Sequence, residues 1–246
     1  MQASAAVPAE AGRLVNAGGK LTAACGIAYF VLAMVGNPLR AAGEETDPST
    51  PAAVAGGWLI AHPPDTSRWI GELLVGLAFL CAIPFVVRLH TALRAAEGGS
   101  GLFSTIALDA GLVMIAIGFV AQLPVITAFY YADKGLDPEL AGVLLALNDF
   151  AFVTAWAIYS LLLAASAVVI VRTSALPRWL GWSAAAIAVL LLGSVPFALS
   201  GPPTFILFFA WVVAASIVLI RRSDDEAPPR FAATVEAGRL AQGRSL

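Results

Sequence analysis

Three carboxylates lie within long apolar stretches of the chain, and ionisable residues in such positions are the first candidates for function. They are Glu72, Asp109 and Asp149. A carboxylic acid in an apolar pocket can bind a polar group of a ligand, or it can protonate an alkene or epoxide. Glu72 and Asp149 are therefore the candidate catalytic residues, and the sequence leaves both binding and catalysis open.

Helical spacing places these carboxylates beside aromatic residues. At about 100° per residue, Asp149 shares one stripe of a helix with Phe152 and Trp156. Glu72 shares a similar stripe with Phe79 on another helix. Such a stripe should face other helices, because a carboxylate exposed to lipid is costly. We predict a ligand-binding pocket formed by Glu72, Gln122, Asn148, Asp149, Phe152 and Trp156.

The composition requires a lipid environment for these helices. The chain has 246 residues, of which 59% are hydrophobic and 12% are charged. Soluble domains carry about 25% charged residues, so the surplus apolar surface must face lipid. A net charge of −2 and the lack of a dense basic patch give no indication of nucleic acid binding. Cys25 and Cys81 are too few for a metal site, and no motif indicates a cofactor.

Six apolar stretches approach or exceed the length needed to cross a hydrocarbon core of about 30 Å. We predict an all-α, polytopic transmembrane helix bundle over residues 20–222, with disordered tails at 1–19 and 223–246. The first stretch could instead be a signal peptide, although no clear cleavage site follows it. The predicted spans are 21–39, 69–87, 103–131, 140–171, 181–199 and 204–220.

The distribution of Lys and Arg predicts the orientation of the bundle. With both termini inside, the outer segments hold only Arg40, Arg68 and Lys134, and the inner segments hold the other cations. We therefore predict an N-in/C-in topology for a multi-pass protein of the cell membrane.

The longest outer connection, residues 37–67, contains a predicted short helix. Thr50 would cap this helix, and Pro51 would take its first helical position. The helix should lie on the outer membrane surface or over the end of the bundle. Its apolar face would consist of Val54, Trp58 and Ala61.

The depth of the polar residues limits their function. Glu72 follows Trp69 by three residues, so it lies within about 5 Å of the outer boundary at about 1.5 Å per residue. The helices of Asp109 and Asp149 can cross a bilayer with neither residue at its centre. A proton or ion pump is therefore disfavoured, and the pocket is predicted in the outer half. His90 is expected at the inner interface, and no role is indicated for it or for Asp109.

Two segments together resemble a family of uncharacterised bacterial integral membrane proteins that is common in actinobacteria. They are residues 147–152 (LNDFAF) and 175–182 (ALPRWLGW), and the likeness extends over roughly residues 21–220. The resemblance implies a six-helix bundle in a bacterial inner membrane. It implies no activity and no catalytic residue.

Three functions fit these observations. The main prediction is a non-transporting membrane protein that binds a lipophilic small molecule or lipid in the pocket. The second is a membrane-embedded enzyme in which Glu72 or Asp149 starts cyclase-like or isomerase-like chemistry on an isoprenoid or lipid. The third is a structural or assembly partner of an envelope complex. The polar residues could also serve structure alone, for example through pairing of Glu72 with Arg40 or Arg68. The ligand and the oligomeric state stay open.

Overall fold

The protein forms a helical bundle in a computed structural model that describes residues 9–41, 50–195 and 204–225, with side chains described for 18–41, 50–195 and 205–223. Five segments are long and apolar enough to cross a membrane, so the predicted multi-span, all-α membrane architecture is confirmed. They comprise Gly18–Arg40 in α1, all of α3, α4 and α5, and Phe205–Ser223 in α7. The helices in these ranges are α1 (Ala9–Arg40), α2 (Ala52–Ala61), α3 (Thr66–Glu97), α4 (Leu102–Tyr131), α5 (Pro138–Thr173), α6 (Arg178–Ser194) and α7 (Thr204–Asp225).

The sixth predicted span, 181–199, coincides in part with α6. This helix has 17 residues, which at about 1.5 Å per residue is about 26 Å and slightly less than a hydrocarbon core. Residues 196–199 lie outside the described ranges. The helices also continue into both predicted tails, because α1 begins at Ala9 and α7 ends at Asp225. The rest of each tail lies outside the described residues.

Six helices surround a common interior. Each of α3, α4, α5 and α6 packs against the next helix in the chain, and α1 closes the ring by packing against both α3 and α7. The short α2 packs along α5. The core is built from small, aliphatic and aromatic side chains, among them Ala23, Leu163 and Phe208, all at most 1% exposed.

Contacts between distant residues identify the two ends of the ring. The Arg88 guanidinium donates a hydrogen bond to the Ser223 hydroxyl over 2.9 Å, and Gly19 lies against both residues. We call this the basic end, and it also holds Arg172, Arg178, Arg221 and Arg222. The opposite end contains the last turn of α1 and the first turn of α3, and we call it the Arg40 end.

Two aspartates cap helices at the Arg40 end. Asp137 accepts hydrogen bonds from the backbone N–H groups of Glu139 and Leu140 at the start of α5, with Pro138 at the first helical position. Asp65 caps α3. A hydrogen bond from the Ser67 hydroxyl, with a second from a backbone N–H, lowers the pKa of Asp65 below its ordinary value. These caps fix where α3 and α5 begin.

The predicted short helix is present as α2, but its predicted cap is wrong. The helix begins at Ala52, with Pro51 at the N-cap position and no side-chain hydrogen bond to the helix end. Thr50 is therefore not the cap. The reason is the backbone of Pro51, whose ψ of 138° is extended, so that the helical conformation starts one residue later than predicted.

The buried face of α2 also differs from the prediction. Gly56 and Leu59 are buried, whereas Val54 is 59% exposed. A Cβ at Gly56 would lie 1.8 Å from a backbone oxygen of α5, so the two backbones touch at this glycine. The orientation of α2 is therefore set by close backbone packing at a small residue. It is not set by the apolar pattern of the larger side chains of α2.

A glycine contact near the Arg40 end brings α1 against α3. A Cβ at Gly36 would lie 2.9 Å from the carbonyl oxygen of Gly71, and a Cβ at Gly71 would lie 2.6 Å from the backbone nitrogen of Arg40. Both neighbouring atoms belong to the backbone, so neither can move unless the helices separate. Because Gly36 and Gly71 have no side chains, the two helices approach closely and Arg40 lies directly beside α3.

We predict that Gly71→Ala separates α1 from α3 and destabilises the bundle by about 1–3 kcal/mol, the usual cost of overpacking. The measurement is the midpoint of thermal unfolding in detergent. The matched control is Gly76→Ala on the same helix, where the nearest atom to the new Cβ is 3.8 Å away. Equal midpoints for the two variants would contradict the role of this glycine contact.

Candidate functional site

Five helices enclose a cavity towards the Arg40 end of the bundle. Its volume is about 240 Å³, and α1, α3, α4, α5 and α7 all contribute side chains to it. Along α1 it extends from Arg40 to Tyr29, which is about 16 Å at about 1.5 Å per residue. Along α5 it extends over the same length, from Asn148 to Tyr159. The cavity is therefore elongated and runs along the helices.

Six aromatic rings line the cavity. Phe205 of α7 contacts three of the other rings, with its ring centroid 4.6 Å from that of Phe152, 4.7 Å from that of Phe209 and 5.5 Å from that of Tyr159. These rings meet edge to face, an arrangement that aromatic pairs favour. The rings of the wall are those of Tyr29, Phe79, Phe152, Tyr159, Phe205 and Phe209.

One end of the cavity is polar. Arg40, Asn148 and Asp149 lie there, and we call them the polar cluster. The Asn148 amide donates a hydrogen bond of 3.2 Å to the Asp149 carboxylate. The same three residues also border a second cavity of about 220 Å³, which is lined in addition by Val125 and Phe129 among others. The polar cluster therefore lies between the first cavity and the second.

A buried ion pair supports the polar cluster. The Nε atom of Arg40 lies 3.6 Å from Oε1 of Glu72, and the Glu72 side chain is only 4% exposed. Arg40 is thus paired with Glu72, while Asp149 forms no ion pair with any described residue. One guanidinium and two carboxylates carry a net charge of −1 when all three are ionised. The polar end of the cavity therefore has a surplus of negative charge.

Gln122 presents a buried hydrogen-bond donor on the cavity wall. Its side chain is 6% exposed, and its amide nitrogen has no hydrogen-bond partner among the described residues. A buried donor without a partner costs about 1–3 kcal/mol. A ligand with an acceptor oxygen or nitrogen in the cavity would satisfy this group.

The structure brings four of the six predicted pocket residues to the cavity: Gln122, Asn148, Asp149 and Phe152.

Glu72 and Trp156 do not line the cavity. Glu72 forms an ion pair with Arg40, which is the structural role that the sequence leaves open for it. The Glu72 carboxylate therefore joins α3 to α1 and does not face the cavity. Trp156 is 5% exposed and packs behind the wall, with its ring 5.9 Å from Phe152 and 6.2 Å from Phe205. Its role is to support two rings that do line the cavity.

Sequence reasoning missed the residues that α1 and α7 contribute. On α1, a stripe at spacings of four, four and three residues ends at Arg40, and this spacing could have identified it. On α7, Phe205 and Phe209 share a face, but the helix is apolar on every side, so the pattern does not show which face is turned inward. The α1 stripe is Tyr29, Ala33, Asn37 and Arg40.

Asp109 and His90 lie away from the cavity. Asp109 is exposed on α4, eight residues before the first cavity residue of that helix, Ile117. His90 Nδ1 lies 2.9 Å from the backbone oxygen of Ser104, and this hydrogen bond joins α3 to α4 near the basic end. In the described ranges, no three His, Cys, Asp or Glu side chains are grouped so that they could hold a metal ion.

Comparison of the chain with protein-family models, with curated proteins and with solved structures found no match. The resemblance to a bacterial membrane protein family therefore stays a prediction. The geometry of the cavity is the basis for the functional proposal that follows.

We predict that the two halves of the buried ion pair are unequal in their effect on stability. Arg40→Ala leaves the Glu72 carboxylate buried without its partner, and the cost for a fully buried pair is about 3–5 kcal/mol. The partial exposure of Arg40 reduces this value. Glu72→Gln should cost less, because Arg40 keeps access to water and to Asp149.

Thermal unfolding of the single variants and of Arg40→Met combined with Glu72→Gln measures this difference. The double variant should be more stable than Arg40→Ala, because no buried charge is left alone. Lys134→Ala, an exposed cation at the same end, is the control and should change little. If Arg40→Ala and Lys134→Ala unfold at the same temperature, the ion pair does not stabilise the bundle.

Proposed function

We propose that this protein binds a lipophilic small molecule or a single lipid chain in the cavity at the Arg40 end. The observation that carries the proposal is the cavity itself, which has six aromatic rings along its length and a polar cluster at one end. Ligand sites in proteins are mostly apolar and carry a few placed polar groups.

The size of the cavity supports a compact ligand. At about 240 Å³ it is smaller than the roughly 300–1,000 Å³ typical of sites for drug-sized molecules. Its elongated shape fits a linear or weakly branched apolar body, and each methylene group removed from water contributes about 0.8 kcal/mol. A whole phospholipid would not fit inside it.

The charge of the polar cluster supports a neutral or cationic head group on this ligand. Arg40 is already paired with Glu72, so Asp149 is the charge that a head group would meet. A carboxylate or phosphate would be repelled by Asp149, whereas an ammonium group would be attracted to it and to the aromatic faces. A hydroxyl, ether or carbonyl oxygen could accept the unpaired hydrogen bond of Gln122.

The orientation of the bundle belongs to the same proposal. Most of the described arginines lie at the basic end, whereas Arg40 and Arg68 lie at the other, and Lys and Arg are enriched in cytoplasmic segments of membrane proteins. We infer that the basic end faces the cytoplasm of a bacterial cell, that both termini are inside, and that α6 crosses the membrane as a sixth span. The cavity then opens in the outer half of the bilayer.

Three twelve-carbon probes that differ only in the head group test the ligand class. The full chain in phosphatidylcholine nanodiscs is titrated with dodecylamine, dodecanol and dodecanoate, and tryptophan fluorescence reports binding because Trp156 packs against the cavity wall. We expect saturable binding of the amine and the alcohol and at least tenfold weaker binding of the carboxylate. Asp149→Asn should remove most of the difference between the amine and the carboxylate.

A matched pair of variants on α5 tests the location. Phe152→Ala removes a cavity ring and should weaken binding of dodecanol about tenfold, which corresponds to about 1.4 kcal/mol. Phe150→Ala removes an exposed ring of the same helix that does not line the cavity, and it should leave binding unchanged. Equal losses in both variants, or no saturable binding to the unmodified chain, would rule out the cavity as the site.

A catalytic function is the second candidate, and Asp149 is the residue that favours it. It is the carboxylate that lines the cavity, beside Phe152, whereas Glu72 is held by Arg40. A proton from Asp149 could open an isoprenoid epoxide, and the aromatic faces could stabilise the resulting cation.

The test is incubation with an epoxide of farnesol in deuterated water, followed by mass spectrometry of the products. A protein-dependent product that disappears in Asp149→Asn and persists in Asp109→Asn would establish catalysis. Identical products from the protein and from empty nanodiscs would exclude this reaction while leaving ligand binding untouched.

A further inference from the structure

We propose that the basic end carries a binding site for the head group of an anionic phospholipid, separate from the cavity. The site is the groove between the α5–α6 connection and the last turns of α7, and we call it the arginine groove. Its volume is about 520 Å³, and it is open to its surroundings. It is bordered by residues 174–179 on one side and by Val218, Arg221 and Arg222 on the other.

Three arginines border the arginine groove. They are Arg178, Arg221 and Arg222. A guanidinium group matches the geometry of phosphate oxygens and can bind them through two parallel hydrogen bonds. Such groups around one space are suited to a phosphate diester, the group that links the head group to glycerol in phosphatidylglycerol.

Neighbouring groups hold two of the three arginines in place. Arg222 donates a hydrogen bond to the carbonyl oxygen of Ala175, and Arg178 Nε donates one of 3.2 Å to the hydroxyl of Ser174. Ala175 and Leu176, in the connection itself, are 5% and 2% exposed. Binding therefore requires little further ordering of the protein, which lowers its entropic cost.

The surroundings of the groove indicate a lipid as the source of the phosphate. Trp179 borders the groove and is 57% exposed, and Trp182 on the same stripe of α6 is 64% exposed. Exposed tryptophans of membrane helices lie at the level of the lipid head groups. Further along this stripe, Val189 is 72% exposed, so the acyl chains of a lipid bound at the groove would meet an apolar surface.

Lipid titration of the full chain tests this site. Purified protein in a neutral detergent is titrated with dioleoyl phosphatidylglycerol or with dioleoyl phosphatidylcholine, and bound lipid is counted by native mass spectrometry. The full chain is needed so that Asp224, Asp225 and Glu226, which follow Arg222 in the sequence, can compete for the arginines. We expect phosphatidylglycerol to bind more tightly, and the preference to decrease with added salt.

A matched set of variants locates the binding. Arg178→Gln combined with Arg221→Gln should weaken phosphatidylglycerol binding by about fivefold for each arginine removed. Arg172→Gln is the control, because Arg172 is an exposed cation of the same end that does not border the groove. Thermal unfolding without added lipid checks that the variants are folded. Probe binding in the cavity should be unchanged, which separates this proposal from the proposed function.

Each other outcome would overturn the proposal. Equal affinity for the two lipids would show that the charge of the groove is not used. An equal loss in Arg172→Gln and in the double variant would show a diffuse surface charge effect instead of a site. Displacement of the lipid by millimolar inorganic phosphate would assign the groove to a soluble anion.

Discussion

The ion pair between Arg40 and Glu72 is the interaction on which the Arg40 end of the bundle depends. A carboxylate that is 4% exposed among apolar helices needs a partner, and Arg40 supplies it from the neighbouring helix. The pair can form because Gly36 and Gly71 let the two backbones touch one turn away. The same contact fixes Arg40 beside Asp149, so a structural requirement of α3 also positions the polar cluster.

The chemical asymmetry of the cavity follows from this arrangement. Because Arg40 is committed to Glu72, the charge left at the cavity is that of Asp149. Six aromatic rings line the rest of the cavity together with small and aliphatic side chains, and Phe205 contacts three of the other rings. This asymmetry is the basis of our proposal that the cavity selects amphiphiles by their head group.

The sequence predicts the spans and the inward face of α5 because composition, length and helical spacing are local properties. The same reasoning places Asn148, Asp149 and Phe152 on the inside, where the structure also has them. It fails where helices are apolar on all sides. On α7, nothing in the sequence distinguishes the face of Phe205 from the others. Contacts at single glycines, such as Gly56 in α2, override the apolar pattern because they depend on the partner helix.

In the two proposals the ends of the bundle select opposite charges, and this difference separates their ligands. An anionic phospholipid suits the arginine groove. In the cavity, the phosphate of the same lipid would be repelled by Asp149, and the whole lipid is larger than the cavity volume. A small cationic amphiphile suits the cavity, but three arginines would repel it from the groove. The same molecule therefore cannot occupy both sites well. A lipid can stay bound at the basic end while a different, smaller ligand exchanges at the Arg40 end, because neither competes for the other's charge.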